Sequence, residues 1–300
     1  MTPQTPKELG YRMPAEWERH DAIWLAWPYD DTTFPGRVPA VEQRMVEIIA
    51  AIHTGERVEL LVLDEAMQSK VRNMLQSAGV DLTKINFHLV LFQDVWMRDY
   101  GPIFLTNRSQ KALGWVKFKY NAYGKADDPY FAPVLKDNDI FNRIKLPGKK
   151  FETDMVLEGG SIEVNGQGTL LTTEQCLLNP NRNPHLSKEQ IEQHLKDYLG
   201  VSKIIWLKRG LVNDHTDGHI DDIAKFVAPN KIICAYEEDP SDENYGILKE
   251  NFEALKKATD YDNQPFEVIK MPMPHMKYDN GKKAPVSYIN GYIGNTVVLV

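Results

Sequence analysis

The stretch Ser161-Ile162-Glu163-Val164-Asn165-Gly166-Gln167-Gly168-Thr169-Leu170-Leu171-Thr172 sets a turn dipeptide between two short runs of strand-forming residues. Asn-Gly supplies the positive φ angles that a tight hairpin turn requires, so the stretch predicts paired strands at 161–164 and 168–172. Downstream, Ser187 stands where a helix N-cap belongs, and helical periodicity runs to Leu199. A short apolar strand follows at 203–207. The resulting unit is strand, turn, strand, helix, strand.

The same order recurs on either side. Downstream, a loop at 213–219 precedes a hairpin at 223–228 and 231–236 around Pro229-Asn230, then a helix at 245–259 and a strand at 266–271. Upstream, strands are predicted at 21–27, 57–63 and 85–92. Two helices separate them: 41–53, with Val41, Met45, Ile48, Ile49 and Ile52 on one face, and 65–78, closed by Gly79. The third strand runs into Trp96-Met97-Arg98-Asp99, followed by a hairpin at 102–106 and 114–120. A last hairpin is predicted at 287–293 and 296–300 around Gly294-Asn295, with no helix or strand after it. By the logic of stacked repeats this leaves an open edge, and the natural protein is expected to continue past Val300.

Composition narrows the function classes. The 300 residues are 42% hydrophobic and 26% charged, enough to fill a sizeable core, and no linker divides them. A net charge of −7 argues against general nucleic-acid binding, which needs a basic surface. No apolar run approaches the ~18 residues that span a membrane, and no signal peptide is visible. Two cysteines, Cys176 and Cys234, are too few for a disulfide framework, and a cytoplasmic location is expected.

Polar residues gather at one place in each repeat, after a strand and before a hairpin. These segments are Trp96-Met97-Arg98-Asp99-Tyr100-Gly101-Pro102, Leu157-Glu158-Gly159-Gly160 and Asp214-His215-Thr216-Asp217-Gly218-His219-Ile220-Asp221. If the repeats are related by rotation, the segments meet at a common end. Carboxylates paired in a plane suit a guanidinium, whose donors form a rigid fork, and a histidine moves protons near neutral pH. Plainer uses exist for each: Trp96 in the core, Arg98-Asp99 as an ion pair, Glu158-Gly159-Gly160 as a turn. His215 and His219, four apart, also have zinc spacing, but Gly218 between them and the absence of helical periodicity oppose that reading. Strand alternation would put His219 and Asp221 on one side and Ile220 on the other.

These three segments resemble the signatures of the agmatine deiminase and bacterial peptidylarginine deiminase family. So do Met13-Pro14-Ala15-Glu16-Trp17, Trp24-Leu25-Ala26-Trp27-Pro28, and the run Cys176-Leu177-Leu178-Asn179-Pro180-Asn181-Arg182-Asn183-Pro184. The resemblance implies an α/β pentein propeller, five ββαβ units in a pseudo-fivefold array forming one catalytic domain over residues 1–300, with the last unit incomplete. It implies cysteine-dependent hydrolysis without metal or organic cofactor. Asp99 and Asp221 would hold the guanidinium nitrogens, with Glu158 in the same clamp. His219 would shuttle protons, and Trp96 and Asp217 would contribute to substrate binding.

The family's nucleophile is a cysteine after a glycine-rich stretch near the C-terminus, and no such motif occurs here. Cys176 lies in a segment of structural use, and Cys234 in an apolar strand where a buried small side chain is ordinary. Neither is assigned the attack. Agmatine is the preferred substrate, giving N-carbamoylputrescine and ammonia; peptidyl-arginine or free arginine is the alternative, and free arginine would need a cation such as Arg98 or Arg209 for its carboxylate. A metal-dependent hydrolase and an inactive guanidinium-binding protein are the readings from other classes. No nucleic-acid or membrane partner is expected, and self-association into a homo-oligomer is left open.

Overall fold

The first unit consists of β1 (Ala22–Ala26), α1 (Val38–Ile52), β2 (Arg57–Val62), α2 (Glu65–Ser77) and β3 (Ile85–Leu89). The computed structural model to which it belongs describes residues 4–274, 278–279 and 281–300. All pairings in this sheet are parallel, in the order β1-β2-β3. Helix α1 starts three residues before the periodicity predicts, because Pro39 fits the first turn of a helix, where its missing N–H costs nothing. Asp64 caps α2 by accepting from the Met67 amide at 2.8 Å, and Gly79 (φ +77°) ends that segment.

The next units share one strand order. A one-turn helix α3 (Met97–Tyr100) leads into the antiparallel pair β4 (Ile103–Asn107) and β5 (Ala112–Lys119). Irregular turns and α4 (Ile140–Arg143) then return the chain to β6 (Lys149–Val156), which pairs parallel to β5. The sequence predicts no elements in the 121–154 region: its turns are too short to show a period, and in β6 only Phe151 and Met155 are buried, which leaves no alternation to read. After the 3-10 turn Gly159–Ser161 come β7 (Glu163–Val164), β8 (Thr169–Thr173), α5 (Glu174–Leu177), α6 (Lys188–Leu199) and β9 (Lys203–Leu207). The pairings are again antiparallel, then parallel. Strand β7 is shorter than predicted because Ser161 belongs to the preceding turn.

The hairpin forms where Asn165-Gly166 predicts it, but as a wider loop in which Gly166 and Gly168, and not Asn165, take positive φ. Gly166 takes φ +65°, and the Asn165 side-chain oxygen accepts the amides of Gln167 and Thr169 at 2.9 and 3.0 Å. Ser187 and Gln190 form a capping box on α6, and Gly200 closes it in the left-handed region. A 3-10 turn Ile220–Asp222 opens the next unit: β10 (Ala224–Ala228), β11 (Lys231–Tyr236), α7 (Tyr245–Lys257) and β12 (Glu267–Pro272), in the same order. Short pairs follow, β13 (Tyr278–Asp279) with β14 (Lys282–Lys283) and β15 (Tyr292–Ile293) with β16 (Val298–Leu299).

The last hairpin is much shorter than predicted, and it packs on the first unit. Tyr292, Val297 and Leu299 lie against the core of Val46, Ile49, Val58, Leu60 and Leu75. The Asn295 side chain accepts the His20 amide at 2.9 Å and donates to the Gly55 carbonyl at 3.0 Å. The ends of the array are therefore neighbours, which brings the one-turn elements of successive units toward a shared centre.

Candidate active site

Three one-turn elements occupy the same place in their units: α3, Gly159–Ser161 and Ile220–Asp222. Asp99 lies in the first, Glu158 directly precedes the second, and His219 and Asp221 flank the start of the third. All four side chains are buried. The His219 ring is their hub. Its Nδ1 lies 3.8 Å from Asp99 Oδ1 and 3.8 Å from Asp221 Oδ1, and its Nε2 lies 3.9 Å from Glu158 Oε2. His219 and Asp221 share a side because a tight turn brings them together, not through the strand alternation the sequence suggested.

Gly160 forms the floor. Its amide donates to Asp99 Oδ1 at 3.1 Å. A Cβ there would stand 2.5 Å from His219 Nδ1, 2.7 Å from Asp221 Oδ2 and 2.8 Å from Asp99 Oδ1. Only glycine leaves the clamp that space. Gly159 is as constrained, since a Cβ would run into the Arg98 carbonyl oxygen.

Each carboxylate has its own support. The Tyr123 hydroxyl donates to Asp99 Oδ2 at 2.9 Å. Tyr123 is fully buried and, with Ala122, sits in the left-handed region (φ +59° and +55°), a backbone strained for side chains that bear a Cβ. Arg182 Nε donates to Glu158 Oε1 at 2.9 Å with both side chains out of solvent. The same guanidinium donates to Asn181, Asp217 and the Thr216 carbonyl. Asp217 is thus committed to Arg182 and Asn181, with Lys125 3.7 Å away. Asp214 is spent on its own loop: its side chain accepts the Thr216 and Gly218 amides at 2.8 Å each.

Other sequence candidates go elsewhere. Arg98 pairs with Glu16 at 2.8 Å and not with Asp99, because the α3 turn points the two side chains apart. Arg209 lies near Glu250. The His215 ring stacks on Phe131 and meets the edge of Tyr123. Among the described residues, the cluster with metal-ligand proximity is Glu158, Cys176 and His219, and His215 is not in it. Trp96, one turn before Asp99, is 45% exposed and forms no part of the core.

Cys176 is where sequence reasoning fell short. Thr173 caps α5 through the Cys176 amide and also donates to the Gly218 carbonyl, so the turn carrying Cys176 is braced against the His219 loop. Its sulfur, the His219 ring and Glu158 all lie within 4.8 Å of one another. Arg182 and Tyr123 were likewise unassigned. The Asn-rich run around Arg182 and the Gly124 beside Tyr123 were the available signals.

The field in the cluster is strongly negative. Burial would push His219 down, but Asp99, Cys176 and Glu158 outweigh it and hold the imidazolium well above its ordinary value. Burial likewise works to raise Glu158, yet His219 and Arg182 keep it ionised below the usual range. Asp221 goes the other way, pushed up to about 6 by burial and by the charge of Asp99. Burial pushes both thiols up, Cys176 against His219's opposition and Cys234 to about 12. Glu158 Oε2, His219 Nε2 and Asp221 Oδ1 are buried and have no hydrogen-bond partner. Orphaned polar atoms at this density mark a place built for something else to complete.

Comparison with known proteins agrees on one family. The sequence model of Porphyromonas-type peptidyl-arginine deiminase matches residues 12–300. A Legionella pneumophila protein provisionally named agmatine deiminase is 39% identical over 298 residues, covering 98% of this chain and 83% of that one. The solved agmatine deiminase of Enterococcus faecalis superposes with a TM-score of 0.85 at 32% identity, over 99% of this chain and 85% of that one. A C. jejuni agmatine deiminase, solved as a Cys-to-Ser variant with substrate bound, gives 0.80 at 28% identity, over 96% and 81%. The repeated ββαβ order and these superpositions together identify the pentein fold. The chain belongs to the Porphyromonas-type peptidyl-arginine deiminase family.

Proposed function

We propose that this protein hydrolyses the guanidinium group of agmatine to N-carbamoylputrescine and ammonia. The observation that carries the reading is the ring of orphaned acceptors around His219, closed by three carboxylates on a glycine floor. A planar cation with donors along its edges satisfies such acceptors and offsets their charge, whereas an anionic ligand would meet repulsion. Asp99 and Asp221 hold the nitrogens, and Glu158 turns its free oxygen to the same group. Trp96 lines the approach, and Asp217 acts through Arg182 by keeping Glu158 in place.

The chemistry expected is covalent. A thiolate adds to the guanidinium carbon, forming a C–S bond. His219, held as the imidazolium, protonates the departing nitrogen, and ammonia leaves as the C–N bond breaks. Now neutral, His219 takes a proton from water, whose oxygen adds to the same carbon. The C–S bond then breaks as the new hydroxyl proton passes to solvent, releasing the neutral ureido product and the thiolate. Asp99, Glu158 and Asp221 supply the clamp and His219 the proton transfers; neither Cys176 nor Cys234, both buried with raised thiols, is assigned the attack.

Agmatine and putrescine differ in the guanidinium alone, so paired titrations test the clamp. Agmatine should bind at least tenfold more tightly, and Asp99→Asn should remove the difference. Equal binding of the two amines would reject the reading. In turnover assays His219→Ala should abolish ureido product, and a blocked arginine peptide run in parallel distinguishes the peptidyl-arginine alternative.

A further inference from the structure

Two of the three orphaned atoms, Glu158 Oε2 and His219 Nε2, lie 3.9 Å apart, and the Cys176 sulfur completes a triangle with sides within 4.8 Å. Guanidinium binding accounts for the carboxylate and the imidazole. It gives the sulfur no task. A cysteine buried as a small apolar residue is ordinary, but such a residue has no reason to sit against two unsatisfied polar atoms.

We propose that Glu158, Cys176 and His219 form a binding site for a soft divalent cation of the zinc type. Sulfur, nitrogen and carboxylate oxygen are the donor types zinc takes. A tetrahedral ion with bonds of about 2.0–2.3 Å spaces its ligands roughly 3.3–3.8 Å apart, so closure needs only a small inward movement of each side chain. The surroundings supply what a metal ligand normally has behind it. Arg182 fixes Glu158 through Oε1 and leaves Oε2 free. Asp99 and Asp221 flank the other ring nitrogen of His219, as outer carboxylates do in zinc sites. Their side chains retain 10% and 9% exposure, which gives solvent a route to the cluster.

Binding exchanges two protons for the metal: the Cys176 S–H bond and the N–H bond at His219 Nε2 both break, the two protons pass to solvent, and sulfur and Nε2 each donate the lone pair so freed to the ion. Occupied in this way, His219 has no free Nε2 and Glu158 no free Oε2. The cation and a guanidinium would exclude one another, a consequence that rests on the function proposed above.

Cobalt(II) is the probe, because thiolate ligation gives it a near-ultraviolet charge-transfer band and tetrahedral geometry gives it visible bands. The reduced, metal-free protein titrated with Co²⁺ should show one saturable site with both signals, and Zn²⁺ should displace them. The chain has only two cysteines, so each variant decides the assignment alone. Cys234→Ser should keep the charge-transfer band, whereas Cys176→Ser should lose it and weaken binding at least tenfold. Should Cys176→Ser fail to fold by circular dichroism, the Cys234→Ser result still assigns the sulfur. Absence of saturable uptake, a band surviving in Cys176→Ser, or a band lost in folded Cys234→Ser overturns the site. Agmatine added to the cobalt complex separates the two proposals: bleaching supports both, and an unchanged Cys176-dependent band sinks the agmatine reading while leaving the metal site standing.

Discussion

Arg182 Nε and Glu158 Oε1 lie 2.9 Å apart in a pair with no solvent exposure on either side chain. The pair joins residues 24 apart in sequence and decides which oxygen of Glu158 is free to face His219. Its guanidinium also gathers Asn181, Asp217 and the Thr216 carbonyl, so one side chain ties the Glu158 turn to the His219 loop.

Removing one member of a buried ion pair strands the other charge, at a cost of about 3–5 kcal/mol. Arg182→Met should lower the urea-unfolding free energy by that amount and weaken agmatine binding. Arg182→Lys keeps the charge but loses the fork, and should recover only part of the stability. An Arg182→Met protein with an unchanged unfolding midpoint would show that the pair anchors nothing.

Gly160 makes a sharper prediction, because its environment is polar side chains and not backbone. Gly160→Ala would place a methyl group 2.5–2.8 Å from three clamp atoms. Those side chains can rotate away, so the protein should fold with little loss of melting temperature. Agmatine affinity should drop by a factor of ten or more. Gly159→Ala serves as the contrast: its methyl would strike the Arg98 carbonyl, and the loss there should appear in stability. Tight agmatine binding by folded Gly160→Ala would show that the floor does not shape the clamp.

The Tyr123 hydroxyl on Asp99 is the third test. A hydrogen bond to a charged acceptor contributes about 1.5–3 kcal/mol, and Asp99 keeps the Gly160 amide when the hydroxyl is gone. Tyr123→Phe should therefore weaken agmatine binding about tenfold through a looser Asp99, with the fold unchanged by circular dichroism. Calorimetric titration showing wild-type affinity would remove Tyr123 from the site.

The sequence made the repeating frame legible because its signals are local. Asn165-Gly166 and the Ser187 cap each act within a few residues, and the structure has a hairpin loop and a helix start at those places. The convergence of Asp99, Glu158, His219 and Asp221 also followed from the frame, since each occupies the same place in its unit. Tyr123, Arg182 and Cys176 were not legible in this way. Their partners in the site lie 18 to 43 residues away and obey no period. Nothing local distinguishes an arginine that anchors a buried glutamate from one on the surface. Crowding alone is a poor guide for the same reason: Asp214 lies in the same polar segment, yet its carboxylate is consumed by the amides of its own loop.

Glu16, which pairs with the arginine next to Asp99, provides the pH test. Its carboxylate accepts from Arg98 at 2.8 Å and from the Ile293 amide at 2.8 Å, and Lys225 Nζ lies 2.9 Å away. Burial works to raise its pKa, but Arg98 and Lys225 prevail and hold it at about 2. The unfolded value is about 4.3. A folded value below the unfolded one means that the stabilisation is fully present above about pH 5 and is lost as pH falls toward 2. Thermal unfolding measured in steps from pH 6 to pH 2.5 should show the melting temperature falling more steeply in the wild type than in Glu16→Gln, whose amide does not titrate. The gap between the two proteins should be widest at pH 6 and should narrow with acid, because a protonated Glu16 and the uncharged amide of the variant hold Arg98 and Lys225 equally poorly. Parallel curves would mean that the contacts of Glu16, including its tie to the last hairpin through Ile293, carry no net electrostatic stability.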